Sequence, residues 1–85
     1  MTYSVWIVAF DEPIPIDPGE NPINCEVRCQ IFGPCTLTMA RQFAVGWNHA
    51  AMLTGRKLWA VVTAADARLI PGQNRNIVDC PFSMN

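Results

Sequence analysis

Three of the four cysteines lie within residues 24–35, at positions 25, 29 and 35. With the single histidine, His49, they supply the atoms that zinc prefers, but zinc needs two sulfurs brought together on a tight knuckle. The residues around Cys25 and Cys29 alternate between apolar and polar, which is typical of an extended strand. Positions four apart on a strand are separated by about 13 Å. The pattern therefore favours packing over a metal site: we expect both thiols to be buried in the core, and no metal or other cofactor to be bound.

Cys35 is a separate candidate, because it follows a Gly–Pro pair directly before a helical segment. The positive end of a helix dipole favours a thiolate, which would make Cys35 a candidate reactive thiol. A cysteine nucleophile also needs a general base. His49 is more than ten residues along the same predicted helix, or about 20 Å at 1.5 Å per residue, so it cannot serve Cys35 within one chain. No carboxylate pair, phosphate loop or Ser–His–Asp set stands out, and we expect the protein not to be an enzyme.

The composition points to an interaction protein. Apolar residues make up 51% of the 85 residues and charged residues 15%, a shift from average usage toward apolar character. A chain of this length forms one domain, residues 1–85, with a thin core. We therefore expect the apolar excess to face a second copy or another protein. The apolar runs are far shorter than the ~18 residues of a membrane-spanning helix. No signal peptide is evident, so we expect no membrane and a cytoplasmic protein with reduced thiols.

Charge is distributed unevenly along the chain. The net charge is −1, the first 26 residues contain no base, and all six bases follow them. Such asymmetry can indicate a polyanion partner. The bases are scattered and the chain is mildly acidic, which disfavours nucleic acid. A nucleic-acid-binding accessory protein remains the first alternative, with a thiol or redox protein built on Cys35 as the second; the bases in question are Arg28, Arg41, Arg56, Lys57, Arg68 and Arg75.

The hydrophobic periodicity predicts a small α+β domain in the order β–β–α–β, with room for a final strand. Residues 2–10 and 57–65 are apolar on both faces, as in central strands. Residues 25–31 alternate as in an edge strand, which the following Gly–Pro pair ends. A right-handed crossover then gives one helix packed on a mainly antiparallel sheet of order 2-1-3.

The helix is predicted over residues 36–54. Thr36 or Thr38 suits the N-cap, and Gly55 suits the C-terminal cap. The stripe expected to face the sheet consists of Met39, Phe43, Trp47 and Ala51, widened by Ala40, Ala44 and Ala50. This orientation places three further interface candidates on the outer face of the helix, namely Val45, His49 and Met52.

The second face of the sheet is the alternative predicted interface, beside the outer face of the helix. One helix covers only one face, and a large uncovered apolar face usually marks a contact surface. The residues expected there are Trp6, Val8, Phe10, Trp59 and Val61.

The remaining segments are predicted as loops. Residues 11–24, "DEPIPIDPGENPIN", contain four prolines and several acids, which excludes helix and ladder strand. This long loop is either a docking arm, with Ile14 and Ile16 as the docking residues, or a lid over apolar surface. Residues 66–76 are predicted as loop, 77–80 as a short strand and 81–85 as a tail. The sequence thus predicts a small non-enzymatic protein–protein interaction module that associates with itself, with a dimer favoured.

Overall fold

The computed structural model describes residues 1–19, 21–76 and 82–83. Within them, all neighbouring strands pair antiparallel in one sheet, in the order β4-β2-β1-β3-β5. One helix packs on this sheet, so the predicted α+β class and the central strand order 2-1-3 are confirmed. The elements are β1 (Tyr3–Ala9), β2 (Asn24–Cys35), α1 (Leu37–Thr54), β3 (Leu58–Ala64), β4 (Asn74–Asn76) and β5 (Phe82–Ser83).

Helix α1 begins and ends at the residues that its sequence indicates. The Thr36 hydroxyl accepts a hydrogen bond from the Met39 N–H at 3.3 Å, which satisfies one of the free donors of the first turn. Gly55 adopts φ 71° and its N–H donates to the Ala51 carbonyl. This left-handed conformation suits glycine, which has no Cβ to clash.

Strand β2 runs through the Gly–Pro pair that was predicted to end it. Gly33 has φ 101°, and a Cβ at this position would lie 2.7 Å from the Tyr3 carbonyl oxygen and 2.9 Å from Ser4 Cα. Only glycine fits so close to the backbone of β1. The absence of a side chain therefore lets β2 continue beside β1 as far as Cys35, and the predicted end of the strand is wrong.

A bulge in β2 changes the face of one cysteine. Val27 pairs with Val8 and Cys29 with Ile7, so Arg28 is an extra residue between these pairs. Because an inserted residue reverses the alternation, Cys25 and Cys29 lie on opposite faces of the sheet. Cys25 is buried as predicted, whereas Cys29 is exposed. The prediction that Cys29 is a core residue is therefore wrong.

The helix is rotated relative to the predicted orientation. Its buried residues are Ala40, Ala44, Asn48 and Ala51. Met39 is 50% exposed, and the large rings of Phe43 and Trp47 are only half-buried. Alanines beneath the helix axis let the backbone approach the sheet closely, which leaves the larger side chains at the flank of the helix.

Both faces of the sheet are covered by the chain itself. The first cluster lies beneath α1 and contains Val5, Ile7, Ala40, Ala44, Ala60 and Val62. The second cluster contains Val8, Phe10, Cys25, Val27, Ala51, Trp59, Val61 and Leu69.

Two loops cover the second face, together with Ala51 and Met52 near the end of α1. Strands β3 and β4 lie on opposite sides of the β1–β2 pair, so residues 65–73 must cross the sheet, and Leu69 in this segment joins the second cluster. Ile14 of the proline-rich loop packs against the same cluster. The open second face predicted from sequence is therefore wrong. Four of its five candidates, Val8, Phe10, Trp59 and Val61, are buried, and Trp6 is half-buried.

Two short strands were not predicted. Residues 74–76, predicted as loop, form β4 and pair with the start of β2. Residues 82–83, predicted within a tail, pair with β3. The strand predicted over residues 77–80 lies outside the described residues.

Candidate interaction surface

Asn48 fixes the position of the helix on the sheet. Its Nδ2 donates to the Ala60 carbonyl at 2.9 Å, and its Oδ1 accepts the Ala60 N–H at 2.7 Å. Nδ2 also donates to the Pro18 carbonyl at 2.9 Å. The sequence did not single out Asn48, yet its side chain is only 1% exposed. The missed signal is its spacing, since Asn48 continues the i, i+4 line of Ala40 and Ala44.

Helix side chains bind part of the outer edge of β3, where a neighbouring strand would otherwise pair. Trp47 Nε1 donates to the Leu58 carbonyl at 3.3 Å, next to the Asn48–Ala60 pair. Farther along, β5 pairs with β3 at Val62 and Thr63. Because the backbone groups of Leu58 and Ala60 are occupied, this edge offers little for an incoming strand to bind.

The outer edge of β2 is also poorly suited to strand pairing. Residues 24–26 pair with β4, and Val27 bonds to the backbone of Gly72 and Gln73. Beyond Val27, the strand has irregular register with β1, and Pro34 lacks an N–H donor. Bulges and prolines are the devices that protect sheet edges. The sheet edges are therefore weaker candidates for a docking surface than the helix.

The residues with reactive chemistry do not converge. Cys35 is half-buried at the end of β2, where its thiol donates to the Tyr3 carbonyl at 3.5 Å. His49 is exposed on the helix. Within the described residues, no three His, Cys, Asp or Glu side chains are arranged to hold a metal ion. The structure thus brings none of the sequence-predicted chemical residues together.

A cleft of about 400 Å³ opens where β1 and β2 meet the proline-rich loop. Its acids are Asp11, Glu12 and Glu26, and two of them have partners: Glu12 accepts the Asn24 N–H at 2.7 Å, and Glu26 pairs with Arg28 at 2.8 Å. Burial, with a smaller contribution from the Glu12 carboxylate, raises the pKa of the Cys25 thiol in this wall to about 11. Cys25 therefore stays protonated near neutral pH, which removes it as a nucleophile.

The basic residues do not form one patch of free charge. Arg28 is paired with Glu26, and Lys57 Nζ donates to the Asp11 carbonyl at 2.8 Å. Arg75 Nη2 donates to the Arg68 carbonyl at 3.3 Å, which places Arg75 of β4 beside Arg68 of the loop that crosses the second face. Nucleic-acid binding remains an alternative without a specific geometric feature in its favour.

The proline-rich loop divides into an anchored part and an exposed part. Ile14 packs on the core, as expected of a lid. Ile16 is 89% exposed, close to the Pro18 carbonyl that Asn48 binds. Ile14 is thus occupied within the chain, and Ile16 is the docking candidate of this loop that remains on the surface.

The outer-face candidates on the helix differ in their accessibility. His49 is exposed, whereas Val45 and Met52 are half-buried. Met52 packs against the second core cluster, and Val45 lines a cleft with residues 17–19. The chain itself therefore occupies part of this predicted surface.

The opposite flank of the helix is apolar and open. We call it the apolar strip; its spacing of four, three, four and three residues keeps it on one side of the helix, and its members are Met39, Phe43, Gly46, Ala50 and Leu53. Leu53 is 85% exposed, and a Cβ added at Gly46 would meet no atom within 4 Å. Phe43 is held in place by stacking on Phe32, with ring centroids 4.5 Å apart. The heptad-like spacing was visible in the sequence, but Met39 and Phe43 had been assigned to the core.

Two further observations bear on the class of protein. Among the described residues, no helix combines the length and hydropathy needed to cross a membrane. Comparison with known protein families, curated proteins and solved structures finds no match to the chain.

Proposed function

We propose that the protein is a small non-enzymatic interaction module that associates with itself through the apolar strip of α1. The supporting observation is the strip itself: an uncharged helix flank on which Met39 is 50% and Leu53 85% exposed. Exposed apolar side chains scattered singly need no explanation, but a contiguous run on a rigid element favours a contact surface.

The proposed association is weak, because the chain already buries most of the surface that a protein of its size can bury. Its accessible surface is 4959 Å², close to the roughly 5,000 Å² that is usual for a monomer of 9.5 kDa. The strip is about 21 Å long at 1.5 Å per residue. Such a patch provides less than the roughly 800 Å² per partner of a standard interface, so we expect a dissociation constant on the order of 10–100 μM.

Substitution at Leu53 tests the proposal. We expect Leu53→Glu to weaken association at least tenfold in sedimentation equilibrium between about 10 μM and 1 mM, because two carboxylates would be desolvated in the interface. The control is Thr38→Glu, which is also exposed and lies off the strip, about 100° around the helix from Met39. Both variants should keep the circular dichroism spectrum and stability of the parent chain. A parent chain that stays monomeric at 1 mM, or a Thr38→Glu variant that dissociates as Leu53→Glu does, would contradict the proposal.

A further inference from the structure

We infer that the C-terminal half of the apolar strip docks an acidic amphipathic helix of another protein, with an apolar side chain in a cleft beside Trp47 and a carboxylate on Arg56. The inference rests on the proposed function in one respect, since it takes the same strip as a contact surface. It adds the class of the preferred partner and the two residues that recognise this partner.

A small cleft adjoins the strip at the end of α1. Its volume is about 160 Å³, and its lining residues are Trp47, Ala50, Ala51, Thr54 and Arg56. Ala50 also belongs to the apolar strip, so the strip and the cleft form one continuous surface. The volume is well below the roughly 300–1,000 Å³ of a small-molecule pocket and provides room for one aliphatic side chain.

The polar side-chain groups of the cleft, apart from one, are occupied within the chain. Trp47 Nε1 donates to the Leu58 carbonyl at 3.3 Å, which fixes the indole as a wall. The Thr54 hydroxyl donates to the Ala50 carbonyl at 3.0 Å. The Arg56 side chain is exposed and, among the described residues, has no hydrogen bond or ion pair. The cleft therefore offers apolar surface beside a free guanidinium, and its complement is an apolar side chain next to a carboxylate.

The charge along this part of the chain has one sign. Residues 27–65 contain four bases and no acid. The strip begins at Met39, in a first turn that has no acidic residue, so the side chains of that turn leave the positive pole of the helix uncompensated. At the other end, the positive charge of Arg56 outweighs the negative pole, whose charge is about one half. Both ends of the strip therefore favour a partner with negative charge.

These charges distinguish the preferred partner from a second copy of the chain. A copy that docks with its own α1 brings no carboxylate to Arg56, because residues 27–65 contain none, so self-association uses the apolar contact alone and stays weak. A partner helix with Asp or Glu beside its apolar stripe adds a charge-assisted contact to the apolar one. We expect a helix because the strip is straight and about 21 Å long, which suits the apolar stripe of another helix.

A pair of synthetic peptides tests the class of partner. Both are helices of about 18 residues with leucines spaced four and three residues apart. They differ only in the residues beside the leucines, which are glutamates in one peptide and lysines in the other. We expect the glutamate peptide to bind about tenfold more tightly at low ionic strength and to lose this preference as salt is added. Heteronuclear NMR titrations measure both affinities, and the amide signals of Ala50, Leu53 and Arg56 should shift.

Substitutions at Arg56 test the residue that selects the charge. Arg56→Gln should lower the affinity for the glutamate peptide about threefold, as expected when an exposed ion pair is lost. Arg56→Glu should reverse the preference, so that the lysine peptide binds more tightly. Arg68→Gln is the matched control, because it removes the same charge from an exposed position on the loop that crosses the second face. It should leave both affinities unchanged.

The outcomes separate this inference from the proposed self-association. Equal affinities for the two peptides, no binding of either, or equal effects of Arg56→Gln and Arg68→Gln would overturn the inference. If the parent chain still forms a dimer that Leu53→Glu dissociates, the proposed function then stands alone. A monomeric parent chain that binds the glutamate peptide through Arg56 would give the opposite result, in which self-association is wrong and the acidic partner is supported.

Discussion

A single carboxamide, that of Asn48, joins three separate parts of the chain. It replaces a neighbouring strand at Ala60 and holds the proline-rich loop at Pro18. A buried amide is tolerated only when its donors and acceptor are satisfied. Asn48 meets this condition, and in doing so it specifies the rotation of the helix, since no other orientation brings the amide to the edge of β3.

Removing this amide should therefore be among the most damaging single changes in the chain. Asn48→Ala leaves the Ala60 N–H and the carbonyls of Ala60 and Pro18 without their partner, at about 1–3 kcal/mol for each buried group. We expect a loss of about 3–5 kcal/mol of unfolding free energy in urea titrations. The neighbouring His49→Ala, at an exposed position, should change stability by less than about 0.5 kcal/mol. Equal effects at the two positions would rule out the role assigned to Asn48.

Among the elements, β2 depends most on one residue. Gly33 lies where its missing side chain makes room for β1, since an added Cβ would lie 2.7 Å from the Tyr3 carbonyl oxygen. We expect Gly33→Ala to lower the unfolding free energy by about 3 kcal/mol, because the backbone of β1 must shift and alanine is strained at this φ. Gly72→Ala is the matched control, since Gly72 also has positive φ but open space around it. It should cost about 1 kcal/mol, and thermal unfolding of the two variants would separate the clash from the strain.

The sequence was sufficient to predict the elements because their signals are local. The two-sided apolar strands and the Thr36 and Gly55 caps require only propensity and periodicity. The orientation of the helix was not predictable in this way. The prediction gave large side chains more weight than alanines, whereas the short distance between helix and sheet decides which side chains fit between them. The extra residue at Arg28 leaves no mark in an alternating pattern, so the face of Cys29 was also beyond sequence reasoning. Leu69 covers the second face of the sheet because its loop crosses that face. The path of the loop follows from the order of the strands in the sheet, which the sequence does not reveal.

In the molecule as a whole, most of the surplus apolar side chains are buried in the core. The two clusters share the faces of one sheet, and the surface that remains is that of an ordinary small monomer. This narrows the sequence-based expectation of a broadly adhesive surface to one flank of α1 and to single exposed side chains elsewhere, such as Ile16 and Ile70.

The free energy of unfolding should also fall at alkaline pH because of Cys25. Burial raises the pKa of this thiol from its usual 9.0 to about 11, so the folded chain holds the proton more tightly than the unfolded chain. Below pH 9 both forms are protonated and no difference arises. Between pH 9 and 11 the unfolded chain ionises first, and the free energy of unfolding falls by about 1.4 kcal/mol per pH unit from this group. Urea titrations at pH 8 and 10 should show a smaller loss for Cys25→Ala than for the parent chain; identical losses would exclude the thiol as the cause.

The way in which Trp47 and Asn48 occupy the edge of β3 has a consequence for concentrated solutions. Amyloid growth requires a strand whose peptide groups can template the next molecule. At the edge of β3, the Trp47 indole and the Asn48 amide already bind the peptide groups that a new strand would need. At the edge of β2, the bulges and Pro34 interrupt the row of peptide groups. Crowding this protein should therefore yield discrete pairs and not fibres, and thioflavin T fluorescence should stay at baseline until the helix is melted away from the sheet.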